Sequence, residues 1–124
     1  NLERADLRDS HFNDANLIKA NLSHVNLESK HPGGFAVINK ANMEGSNLSY
    51  AQMRNIFATS VNLHHADLSH ANLENAVISG SIISGANVSN ADFKGVELES
   101  VTMGYSNFSQ ALNANIPEYK KNIR

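Results

Sequence analysis

The sequence predicts an all-β solenoid, a chain wound into a closed coil of short, strand-like sides. Three observations carry this. A period of five residues runs through most of the 124-residue chain. That period fits neither a helix, at about 3.6 residues per turn, nor a flat strand, at 2. The apolar residues that interrupt its outward place recur twenty positions apart.

The period is plainest between Val61 and Gly95, in fives such as Ala66-Asp67-Leu68-Ser69-His70 and Ala71-Asn72-Leu73-Glu74-Asn75. A small residue stands first, often Asn or Asp second, and a larger apolar residue third, at the centre. Two polar or Gly residues complete the unit. On a helix, residues five apart are rotated by about 140°, so the centres would smear around the surface. A chain that turns a corner every five residues avoids this. Each centre points inward, and each coil stacks on the next at roughly 4.8 Å through backbone hydrogen bonds.

From the N-terminus the centres are Leu2, Leu7, Phe12, Leu17, Leu22 and Leu27. The phase then breaks at Lys30-His31-Pro32-Gly33-Gly34, where Pro and paired Gly signal a turn or loop. It returns with Ala36-Val37-Ile38. Leu27 to Ile38 is eleven residues, read here as two repeats plus one extra residue near 29–35. From Ile38 the centres run without slippage to Phe108, and the phase is lost after Ala111. One unit, Asn55-Ile56-Phe57-Ala58-Thr59, is inverted, with Ile56 in the small place and Ala58 at the centre. The swap conserves core volume; a local bulge is the alternative. After Ala114 the chain carries a helix-start signal around Pro117-Glu118, with Tyr119 and Ile123 on one face. A bare solenoid end needs covering, so this tail reads as a short capping helix or turn. The domain plan is a repeat domain over 1–111, interrupted near 29–35, and a cap or tail over 112–124.

The outward place is mostly Asn or Asp, but Val37, Phe57, Val77 and Ile82 are apolar. The first three are twenty apart, and four sides per coil would stack them in one column. That gives five to six coils. By the same stacking, if the loop bulges out without displacing a side, Asp6, Asn26, Asn47, Asp67, Asn87 and Asn107 should line one face, and Asn21, Asn42 and Asn62 the next. Asn and Asp tolerate turn backbones and bond locally, so these columns read as structural.

Composition narrows the function. A net charge of −2 argues against a nucleic-acid binder, which would cluster Lys and Arg. The absence of Cys excludes disulfides and thiolate metal sites. No apolar run is long enough to span a membrane. A soluble protein is expected, with the cytoplasm the favoured compartment. Asn1 in place of Met, with Leu2 already in phase, reads as an excised or processed start.

These repeats resemble the pentapeptide repeat family, whose pattern is Ala, Asp or Asn, Leu and two variable places. Ala66-Asp67-Leu68 and Ala71-Asn72-Leu73 match it outright, and the resemblance runs from Leu2 to Phe108. It implies a right-handed quadrilateral β-helix with four repeats per coil, and repeat residues with structural roles. It also implies that catalysis is absent in most members. The best-understood members imitate duplex DNA and act on DNA gyrase; others are modules in larger proteins.

The chemistry candidates are thin. His64, His65, Asp67 and His70 are dense, but His65 and His70 hold equivalent places across a corner and should diverge rather than converge on a metal. His11, His24 and His31 are scattered and read as surface decoration. Ser69, Ser79, Ser84 and Ser89 repeat as composition rather than as a nucleophile elbow. No catalytic, metal or cofactor site is expected, and the protein is read as a non-enzyme. The feature that asks for a partner is the outward stripe of Val37, Phe57 and Val77, flanked by Ile18, Phe35 and Ile82. Either a protein partner covers it or the 29–35 loop or the tail does. A scaffold or protein–protein interaction module is the leading reading, with an end-to-end or face-to-face homodimer among its assemblies and no direct nucleic-acid binding. A DNA mimic acting on gyrase is the alternative, weakened by the near-neutral charge.

Overall fold

Through most of the described chain every fifth residue bends into the left-handed region, and that bend makes the corners. Arg4, Asp9, Asp14, Lys19 and His24 have φ between 55° and 61°, and the series continues through Lys40, Tyr50, Asn55, His65, His70 and Asn90. Non-Gly residues reach this region at a cost of roughly 1–2 kcal/mol each, which explains why Asn and Gly recur there. Gly85 and Gly95 add a second reason. A Cβ on Gly85 would lie 2.5 Å from the His65 ring, and one on Gly95 2.2 Å from Asn75 Oδ1. Corner side chains lean over the next coil, and these two glycines leave room for them.

The computed structural model of the chain describes residues 1–28 and 36–121. Parallel bridges tie each side to the sides one coil away, in four columns. The first face pairs Asp6, Asn26, Gln52, Asn72, Asp92 and Leu112 in succession. The second pairs His11, Val37, Phe57 and Val77. The third pairs Asn16, Asn42, Asn62, Ile82 and Thr102. The fourth pairs Asn21, Asn47, Asp67 and Asn87. Two bonds repeat throughout the columns, as in Leu63 N–H to Ile82 O at 2.7 Å and Asn62 N–H to Ala41 O at 3.0 Å.

This register corrects the sequence reading at the interruption. Asn26 pairs with Gln52 and Asn21 with Asn47, a spacing of 26 residues where later coils show 20, as in Asn42 with Asn62. The insertion is therefore six residues at one corner, not one residue with an extra side. Leu27 and Ile38 are centres of consecutive sides. Asp6 and Asn26 consequently share a face with Gln52, and Asn47 stacks on Asn21. Asp6 with Asn26, Asn42 with Asn62, and Asn47, Asp67 and Asn87 share faces as expected; the expected joins across the interruption, Asn26 to Asn47 and Asn21 to Asn42, do not form, and Asn107 makes no bridge.

The core fills the coil. Leu22, Leu27, Ile38, Met43, Leu48, Met53, Leu63, Leu68, Leu73, Ile78, Ile83 and Phe93 are buried, each contributing about 1.5–3 kcal/mol. Alanine in the small place packs tightly beside them. The inverted unit keeps its register: Phe57 still pairs with both Val37 and Val77, while Ile56 and Ala58 are both buried. Its corner is rebuilt rather than bulged. Elsewhere the small-place N–H bonds the preceding centre carbonyl, as Ala66 does Leu63 O at 3.0 Å. Here the buried Ser81 hydroxyl, from the next coil, donates to Ala58 O at 2.7 Å and accepts from Val61 N–H at 3.0 Å.

At the C-terminal end the second face loosens. Val77 pairs with Phe57, but Glu97 forms no bridge, and Gly80 N–H turns to Ser100 Oγ at 2.9 Å. Two three-residue 3-10 turns follow, Phe108–Gln110 and Glu118–Lys120. The helix start read around Pro117 is thus a single turn, with Pro117 extended at ψ 138° ahead of it. Ile123, expected to share a face with Tyr119, lies outside the described residues.

Candidate interaction face

The outward Asn and Asp residues have local work. From Asn1 to Asp92, each one in this place accepts a hydrogen bond from the backbone N–H two residues on, at 2.9–3.3 Å. These side chains brace the corner that follows them. Asp67, one of the dense ligand candidates, is occupied in this way by Ser69 N–H at 2.9 Å.

Val37, Phe57 and Val77 give up that brace. They are successive neighbours on the second face, Val37 and Phe57 half-buried and Val77 36% exposed. Ile82, at 41% exposure, lies round the corner on the third face between Asn62 and Thr102. The corner between Val77 and Ile82 carries only Ser79 and Gly80, so little side chain separates them. Ile18, at 44% exposure, does not flank the stripe. It follows Leu17 on the third face, at the corner leading to the fourth. Phe35 lies outside the described residues.

The corner on the other side of the second face carries a charge ladder. Arg8, Glu28, Arg54, Glu74 and Lys94 each follow a centre of the first face and alternate in sign coil by coil. Arg54 grips Glu28 in a two-pronged bond of 3.0 and 3.1 Å. The bond to Glu28 raises the Arg54 pKa, and Glu74 adds to it. Arg8 is raised in the same way by Asp6. With like signs, charges stacked at roughly 4.8 Å would repel.

The histidines separate into two groups. His24, Tyr50 and His70 form a stacked ladder at the corner after the fourth face, with centroids 4.9 and 4.5 Å apart and planes within 2°. His24 and His70 are thus packed rather than mere decoration. His65 leans over Gly85 and meets the His64 ring at 3.8 Å. Among the described residues no three His, Asp or Glu side chains form a group that could hold a metal ion. His31 is outside the described residues. The sequence reading missed both ladders, because each appears only in the six-residue register.

Two depressions lie near the C-terminal end. One of about 380 Å³ is bounded by Met103, Phe108, Ile116 and Lys120. The other, about 550 Å³, is bounded by His64, Ser84, Thr102, Tyr105 and Lys120. Lys120, common to both, is committed to the backbone: its ammonium donates to Leu98 O, Glu99 O and Val101 O at 2.8, 2.5 and 2.8 Å. Among the described residues no helix is long and apolar enough to cross a membrane.

A family model described as pentapeptide repeats matches in eight copies, over residues 1–29 and 59–95. No curated protein matches the chain. Solved structures similar to it include HetL, a pentapeptide repeat protein involved in heterocyst differentiation regulation from the cyanobacterium Nostoc sp. strain PCC 7120. It is 23% identical with a TM-score of 0.43, over 89% of this chain and 58% of HetL. A pentapeptide repeat protein of the Arabidopsis thaliana thylakoid lumen is 23% identical, over 94% of this chain and 70% of its own, with a TM-score of 0.43. Trypsin-treated QnrB1, a plasmid-mediated fluoroquinolone resistance protein, is 13% identical, over 99% and 83%, with a TM-score of 0.33. The chain spans less than two thirds of HetL, and likeness at these scores carries no functional argument.

Proposed function

Because the chain belongs to the pentapeptide repeat family, we propose that it is a non-enzymatic β-solenoid scaffold that binds a protein partner through its second face. The family fold is the right-handed quadrilateral β-helix. We read it here as five to six coils over 1–111, with the tail from 112 as cap. The supporting observation is the column of Val37, Phe57 and Val77, where three successive coils replace a corner-bracing Asn or Asp with an apolar side chain. None of the three can accept from the N–H two residues on; after Phe57 that N–H, of Thr59, is met instead by Asn39 Oδ1 of the preceding coil at 2.9 Å, so the outward place there is free to set apolar area outward. Ile82 extends that area round the low corner at Ser79 and Gly80.

The other reading, a DNA mimic acting on gyrase, requires like negative charge at regular spacing. The alternating ladder beside the second face weighs against it. The test is substitution on the face, Phe57→Asp and Val77→Asp, read by self-association and by affinity for an isolated partner. Loss of association with the fold retained is the expected result. Unchanged association, partner binding and stability in both variants would sink the proposal.

A further inference from the structure

We infer that the segment from Ile116 to Lys121 is a strap that closes the C-terminal end of the stack to any further coil, with Lys120 as its latch. The ladder geometry sets what a further coil would need. On the first three faces an outward residue donates its N–H to the small-place carbonyl one coil back. Phe57 donates to Ala36 O at 3.0 Å, Val77 to Ile56 O at 2.9 Å and Leu112 to Ala91 O at 2.8 Å. Continuing that spacing, position 117 falls opposite Val96 O. It is Pro117, which has no N–H to give. Val101 O, the next such carbonyl, is taken instead by the Lys120 ammonium at 2.8 Å.

An ammonium has three donors, and Lys120 directs all three at backbone carbonyls: Leu98, Glu99 and Val101. Tyr119 adds a second anchor, its hydroxyl donating to Glu99 Oε1 at 2.7 Å. Between these anchors and the stack, Ile116 packs on the core beside Met103 and Phe108. A bare row of backbone groups on a sheet edge is a template for another chain. The strap removes that template where the second and third sides would be extended, at the place where the second-face ladder is already interrupted between Val77 and Glu97. A coil from a second copy could add there only by displacing Lys120.

The experiment compares Lys120→Met, which keeps length and loses every donor, with Lys120→Arg, which keeps charge and donors. Amide exchange is followed at Ile83 and Gly85, which donate to Thr102 O and Gly104 O in the last coil. Asn47 and Asn62 serve as interior controls. Lys120→Met is expected to speed exchange at Ile83 and Gly85 about tenfold or more, the scale of lost charge-assisted bonds, and to self-associate as concentration rises in sedimentation velocity. Lys120→Arg should follow the wild type in both. Wild-type exchange and wild-type sedimentation in Lys120→Met would overturn the inference. If Lys120→Met does not fold, Tyr119→Phe carries the test, because it removes one exposed anchor and leaves the core intact. Unchanged exchange at Ile83 and Gly85 in that variant overturns the strap.

Discussion

The fourth face and the second face are built on the same scaffold and differ in what they show to solvent. On the fourth, Asn21, Asn47, Asp67 and Asn87 stack coil on coil, and each braces the corner that follows it. On the second, His11, Val37, Phe57 and Val77 stack in the same way without that brace. Leu48 and Leu68 lie beneath the one face, Ile38 and Ile78 beneath the other, all buried. In the interior of both faces the same backbone bonds join the coils, from Leu48 N–H to Asp67 O at 2.7 Å and from Ile38 N–H to Phe57 O at 2.8 Å. In the interior of these two faces the outward residue is therefore not what holds the coils together; at the end of the fourth, Asn107 does so, its Oδ1 accepting from Val88 N–H at 2.7 Å and its amide donating to Asn87 Oδ1 at 2.9 Å. The interior outward residue tunes a corner, and where the corner tolerates its loss the place is open to another use.

The largest test of this contrast lies in the shared core. Leu68→Ala and Ile78→Ala should each cost about 2–5 kcal/mol in urea unfolding, with little to separate them. A far cheaper Ile78→Ala would mean that the loosening of the second face beyond Val77 reaches the core beneath it. A smaller effect separates the outward places themselves. Asn47→Val removes the acceptor for Ser49 N–H and Ser49 Oγ, at 3.0 and 2.7 Å, and should cost about 1 kcal/mol. The reciprocal Val77→Asn should leave stability level or raise it while weakening partner binding. If Val77→Asn is the more destabilising of the two, the apolar column serves the fold and not a partner.

The smallest effect is a pH dependence where the second face ends. Glu99 accepts the Tyr119 hydroxyl bond, which raises the Tyr119 pKa from its ordinary value of 10.0. The neutral phenol is thus the form the folded state favours. Its contribution is complete below the ordinary value and is lost as pH rises through the raised one. Amide exchange at Gly85 should therefore quicken in that alkaline window in the wild type, and Tyr119→Phe should remove that added step. Equal alkaline steps in the two proteins would show that ionisation of Tyr119 does not loosen the strap.

The four-sided coil was legible because Val37, Phe57 and Val77 mark one side at intervals of twenty. The register before the interruption was not. Eleven residues between Leu27 and Ile38 divide as two repeats plus one or as one repeat plus six, and a period of five cannot label which side follows which. Charge would have decided it. Only the six-residue division aligns Arg8, Glu28, Arg54, Glu74 and Lys94 in alternation, and only it brings His24, Tyr50 and His70 together. The rebuilt corner at Ser81 was also out of reach. Its serine lies 23 residues from the carbonyl it serves, Ala58 O, and nothing in the local pattern marks it. In the apolar column, Val37, Phe57 and Val77 are bridge neighbours as their spacing of twenty implies, whereas Ile18 lies at another corner, since corner residues carry no sign of which corner they occupy.

The six-residue insertion between the first and second faces has a consequence for how such a chain can change. Pairing is counted by coil, so residues added at a corner lengthen one connection and leave every column above and below in phase, as Asn26 with Gln52 and Val37 with Phe57 demonstrate. A single residue added within a side would instead turn its centre outward and throw every later column out of line. Corners are thus the sites at which this architecture can accept new sequence without renegotiating its core. Among the described residues the added length falls between Glu28 and Ala36, so a graft there would enter the chain just ahead of Val37.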